Sequence, residues 1–90
     1  MLTIWGVLDR IGDDPEGRRW VQIKALMSEG TTIRVRALVD KQTLIARGVE
    51  RIPVSSLCVG EIIEVSYRHG RDGFVEADTI YVRPERVPVA

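Results

Sequence analysis

Apolar and polar residues alternate along five short stretches of this chain, glycine-rich turns separate most of them, and no sustained helical period appears; together these predict an all-β fold closed into a small barrel. At 90 residues the chain is one domain by ordinary size, with room for a single core. Hydrophobic residues make up 44% and charged residues 29%, a globular balance without low-complexity segments. The barrel is expected to occupy residues 1–83, with 84–90 as a C-terminal tail.

The first strand is expected over Leu2 to Ile11. Ile4 and Leu8 share one face with Gly6 between them, and Trp5, Val7 and Ile11 share the other. Apolar residues on both faces suit a strand shared by two sheet surfaces, with Gly6 permitting a sharp coil. GDDPEG, Gly12 to Gly17, is a turn. Second and third strands follow over Arg18–Leu26 and Thr31–Asp40, joined across Met27, Ser28, Glu29 and Gly30. With Gly30 left-handed in a three-residue loop, Lys24 pairs with Arg34, Gln22 with Arg36 and Trp20 with Leu38. Lys41 to Leu57 is the least regular stretch, a short strand or helical turn over Gln42–Val49 and then a loop around Pro53. Glu61 to His69 is a fourth strand with Ile63, Val65 and Tyr67 inward. GRDG turns the chain into a fifth, Phe74–Val82, whose change of parity between Ala77 and Ile80 signals a β-bulge near Asp78 and Thr79. Five strands, hairpins and one irregular connection fit an OB-like barrel, with an SH3-like barrel as the alternative and no long helix.

The hairpin carries the functional signal. Its expected register gathers Trp20, Gln22, Lys24, Arg34 and Arg36 on one face, with Val21, Ile23, Val35 and Ala37 opposite. Bases stack on aromatic rings and phosphates meet cations, so such a face suits single-stranded nucleic acid. Lys and Arg balance Asp and Glu at 13 each, so the whole molecule exerts no pull on a polyanion. The distribution is lopsided: Arg18 to Arg47 holds seven basic residues against two acidic, and Glu61 to Asp78 five acidic against two basic.

OB-like barrels commonly bind across the second and third strands and the loops at one end. Here those loops are Gly12–Gly17 and Gly70–Gly73; Arg68, His69 and Arg71 beside the second are candidate phosphate contacts. The first opposes this, being acidic through Asp13, Asp14 and Glu16. Those acids lack the spacing of a calcium loop, so a solvated turn is the simpler reading. Trp20 has a structural alternative, a ring laid against the barrel wall, and Arg34 and Arg36 have theirs as ordinary solvated charges. His69 has no nucleophile or partner in evidence, and Cys58 reads as a small core residue. One Cys and one His exclude an intrachain disulfide and leave almost no metal-ligand inventory. Without a phosphate-binding glycine loop, nucleophile elbow or spaced carboxylate pair, the expectation is a non-enzyme with no cofactor and no metal.

Leu57, Gly60, Glu61, Ile63, Val65, Gly73, Ala77 and Ile80 form a pattern that resembles a family of uncharacterised bacterial OB-like domains. The match covers about a third of the chain, Leu57 to Val82. What the resemblance implies is the barrel, and it carries over no catalytic residue. MLTIWGVLDR lacks the basic and long apolar regions of a signal peptide, and no segment approaches a membrane span, so a cytoplasmic protein without membrane association is expected. An export signal removed ahead of an engineered Met would leave the same start. The functional expectation is weak binding of single-stranded nucleic acid with little sequence preference. The alternative is a protein-interaction or assembly module using the same face, its oligomeric state open.

Overall fold

The structure, a computed structural model, describes residues 2–26 and 29–84. The expected loop residues Met27 and Ser28, and the tail from residue 85 onward, lie outside the described residues. Seven strands form: β1 (Leu2–Asp13), β2 (Arg19–Leu26), β3 (Thr32–Val39), β4 (Leu44–Arg47), β5 (Glu50–Arg51), β6 (Ile62–His69) and β7 (Phe74–Val82). One 3₁₀ turn, Val54–Ser56, is the only helical element among the described residues. The sheet runs β3-β2-β1-β6-β7-β4-β5, and a parallel pairing of β3 with β7 closes the first five of these into a barrel. The expected all-β barrel is therefore present, with β4 and β5 added at the edge of β7.

β1 serves two surfaces. Leu2 to Val7 pairs with β6, Val7 to Asp13 pairs with β2, and a register shift between Leu8 and Arg10 leaves Asp9 without a partner. A Cβ on Gly6 would overlap the carbonyl oxygen of Lys24, so only glycine lets the strands cross this closely where β1 bends. The bulge also turns the strand over. Ile11, expected on the side of Trp5 and Val7, instead packs on the core like Leu8, while Trp5 and Val7 are exposed.

The β2–β3 register is the expected one, Lys24 with Arg34, Gln22 with Arg36 and Trp20 with Leu38, and Gly30 has φ 82°. On β7, Thr79 pairs with Ser66 and Ala77 with Tyr67, so Asp78 is the extra residue of the expected bulge. The irregular stretch resolves into β4, which runs parallel to the second half of β7, followed by β5 and the 3₁₀ turn. Thr43 anchors it by donating to the carbonyl of Ala77 at 2.8 Å.

The core gathers Leu8, Val21, Ile23, Ala37, Ile45, Leu57, Ile63, Val65, Ala77, Ile80 and Val82. Val21, Ile23, Ala37, Ile63 and Val65 are buried as the hairpin register requires, whereas Val35 is half-buried. Cys58 corrects its expectation: it is exposed, on the turn before β6, while neighbouring Leu57 takes the core position.

Candidate functional site

Residues directly opposite each other in a sheet share a face, so the register builds the outer surface of β1, β2, β3 and β7 row by row. One row runs Arg10, Gln22, Arg36, Phe74. The next runs Gly12, Trp20, Leu38, Glu76 and on to Arg68 of β6. Lys24 and Arg34 form a third with Val7. The five hairpin residues expected on one face are on one face.

They are not equally wet. Lys24, Arg34 and Arg36 are exposed and Trp20 is half-buried, but Gln22 retains only 6% of its accessible surface. Its amide sits inside a chain of side chains. Gln22 Nε2 donates to Asp9 Oδ2 at 2.6 Å, and Gln22 Oε1 accepts from Arg36 Nε at 2.9 Å. Asp9 reaches Gln22 because the β1 bulge frees it from the ladder. Arg36, fixed by this chain, places its Cζ 4.6 Å from the centroid of the Trp20 ring. Phe74 stands 6.5 Å from Trp20 in a tilted arrangement, and Trp20 itself lies across Gly12, where a Cβ would come within 2.5 Å of the indole. The assembly is a guanidinium held over an indole beside a second aromatic ring.

Both loops rim the Trp20 end. Asp14 accepts from the backbone N–H of Glu16 at 2.9 Å and of Arg18 at 2.7 Å, and from Arg18 Nε at 2.6 Å. Its side chain is only 4% exposed. Burial pushes this carboxyl up, but the Arg18 backbone and guanidinium and the Glu16 amide outweigh it and hold Asp14 below the usual carboxylate range. The acidic turn is thus organised around its own amides. In return the hydrogen bond to Asp14 raises Arg18, with a smaller contribution from the charge of Asp72.

Ion pairs take up much of the basic excess. Arg19 Nε meets Asp13 at 2.8 Å, Arg34 Nε lies 3.6 Å from Asp9, and Arg47 forks onto Glu61 well away from this face. Arg68 donates to Asp78 at 2.8 Å, which raises its pKa. His69 and Arg71 are exposed at the β6–β7 turn. Sequence reasoning missed Asp9, Arg10 and Phe74. Arg10 and Phe74 needed the β1 bulge and the non-local β3–β7 pairing to be placed, and Asp9 needed the bulge alone.

Comparison of the chain with protein-family models, with curated proteins and with solved structures gives no significant match. The resemblance at Leu57–Val82 rests on those positions alone. No helix among the described residues is long and apolar enough to cross a membrane.

Proposed function

We propose that this is a non-catalytic OB-like binding module that engages single-stranded nucleic acid, weakly and with little sequence preference, through the outer face of β2 and β3. The observation that carries the reading is Arg36 lying on Trp20 and locked there by Gln22 and Asp9. A guanidinium plane backed by an indole is a stacking surface for any base, and its order lowers the entropic cost of binding. Phe74 offers a second ring, while Lys24 and Arg10 lie within one or two positions to meet phosphates. His69 and Arg71 contribute from the rim, and Arg34 and Arg68 join them where a phosphate displaces Asp9 or Asp78. Three or four such contacts give a salt slope of about −2 to −3 for a single strand.

Titrating oligothymidylate into the protein at low salt, with amide shifts followed residue by residue, tests the reading. Shifts concentrated on β2, β3 and Phe74 support it. A hairpin silent at high micromolar protein overturns it.

The acids on and around this face, Asp9, Asp13, Glu76 and Asp78, favour a second reading, in which it docks on a protein or a second copy of the chain. Trp and Arg are also the residues of protein hot spots. Sedimentation over a concentration series tests the second copy: a rising mass that nucleic acid does not alter supports docking over stacking.

A further inference from the structure

The barrel carries a second tryptophan beneath an arginine, and nothing in the proposed function uses it. Arg83 places its Cζ 5.2 Å from the centroid of the Trp5 ring, on the outer surface of β1, β6 and β7. Arg36 on Trp20 and Arg83 on Trp5 are the two cation–π pairs found among the described residues. Trp5 is the more open of the two, 59% exposed.

Register again sets out the surface. Lys24 pairs with Val7, Val7 with Ile62, and Arg83 donates its N–H to the carbonyl of Ile62, which makes one row Lys24, Val7, Ile62, Arg83. A cation stands at each end and two exposed apolar side chains between. The neighbouring row is Trp5, Glu64, Tyr81. Trp5 and Lys24 line one shallow cleft with Val7 and Ile62, and Trp5, Tyr81 and Arg83 line another. Lys24 therefore belongs to both surfaces: it ends the outward series Trp20, Gln22, Lys24 along β2 and begins the row that crosses to Arg83.

We propose that the Trp5–Arg83 pair is a second stacking site for the same single strand, reached from the Trp20 site through Lys24. The inference rests on the nucleic-acid reading above and extends it. Charge decides the occupant, since Lys24 and Arg83 outnumber Glu64 and stand on either side of Trp5. Glu64 repels phosphate from the Trp5–Tyr81 row, so the sugar-phosphate backbone follows the Lys24–Arg83 row and its bases fall on Trp5 and Tyr81. The distances fit one strand. Four residue steps along β2 carry Trp20 to Lys24, about 13 Å, and three strand spacings separate Lys24 from Arg83, about 14 Å. A path of about 27 Å takes roughly 8 nucleotides at the stacked spacing of about 3.4 Å, within the range of about 4–16 that one OB fold covers.

The two indole N–H resonances, assigned with Trp5→Phe, report the two sites separately. With twelve-residue oligothymidylate, both are expected to shift with one midpoint. Trp5→Ala is expected to weaken the twelve-mer roughly 5- to 150-fold, the range of one lost stacking contact, and to leave four-residue oligothymidylate at Trp20 unchanged. A Trp20 response with Trp5 silent overturns this inference and leaves the proposed function standing. Silence at both overturns the two together. A Trp5 resonance that moves with protein concentration alone, without oligonucleotide, assigns the face to a second copy of the chain and also overturns it.

Discussion

Both tryptophans lie beneath arginines, yet the two sites are built on opposite terms. At the Trp20 site the guanidinium is held by a buried amide and a carboxylate, the indole is half-buried against Gly12, and Phe74 closes one side. At the Trp5 site the arginine follows the last residue of β7 and the indole stands mostly in water. The first site has its geometry set by the fold before any ligand arrives. The second offers more apolar surface and less order. Pre-organisation and exposure are alternative ways of making an aromatic surface available to a ligand, and the two proposed stacking sites differ in which of them they have.

Ile23→Ala breaks the comparison at its root, because Ile23 is fully buried between the two outward residues Gln22 and Lys24. It is expected to cost about 2–4 kcal/mol in urea denaturation through the cavity it leaves, whereas Trp5→Ala, losing an exposed cation–π pair and partial burial, costs about 1 kcal/mol. Equal losses would show that Trp5 is structural. Gln22→Leu sharpens the comparison by cutting the polar chain while keeping the volume. It takes one partner from Asp9, which keeps Arg34 at 3.6 Å, and frees Arg36 from its anchor; it is expected to cost about 1 kcal/mol and to move the Trp20 indole resonance but not that of Trp5. An unmoved Trp20 resonance means that Arg36 holds its place without the amide.

The smallest effect concerns the rim. Asp14 has a folded-state pKa below its unfolded value of about 3.9, so its contribution is complete above that value and fades as pH falls through the folded one. Following the Asp14 carboxyl by NMR, Arg18→Ala is expected to move its midpoint upward, back towards the unfolded value. The Trp5 face, on the other surface of the barrel, stays indifferent to the change.

The hairpin was legible from the sequence because strict alternation over Arg19–Leu26 and Thr32–Val39 and a left-handed Gly30 leave one register that buries Val21, Ile23 and Ala37. The β7 bulge was legible for the same reason, as a break in parity. The β1 bulge was not: Leu8, Asp9 and Arg10 read equally well in an unbroken strand, and only pairing with β2 shows the extra residue. Missing it put Ile11 on the wrong face and hid Asp9. β4 escaped firm assignment because its partner, β7, lies far along the chain. Gln22 was placed on the right face but its burial was not foreseen, since burial there comes from Asp9 and Arg36 closing over a polar group.

Arg36 and Phe74 are partners in the parallel pairing of β3 with β7, a seam of only three register pairs. The proposed binding surface thus straddles the joint that closes the barrel, a short contact between segments 38 positions apart in the chain. Breathing of the barrel at this joint separates the cation from the second ring, so an open barrel has no complete site. A ligand bridging Arg36 and Phe74 acts as a clasp. Its binding is felt as slower hydrogen exchange along Arg36–Leu38 and Phe74–Glu76, in proportion to its concentration over its Kd.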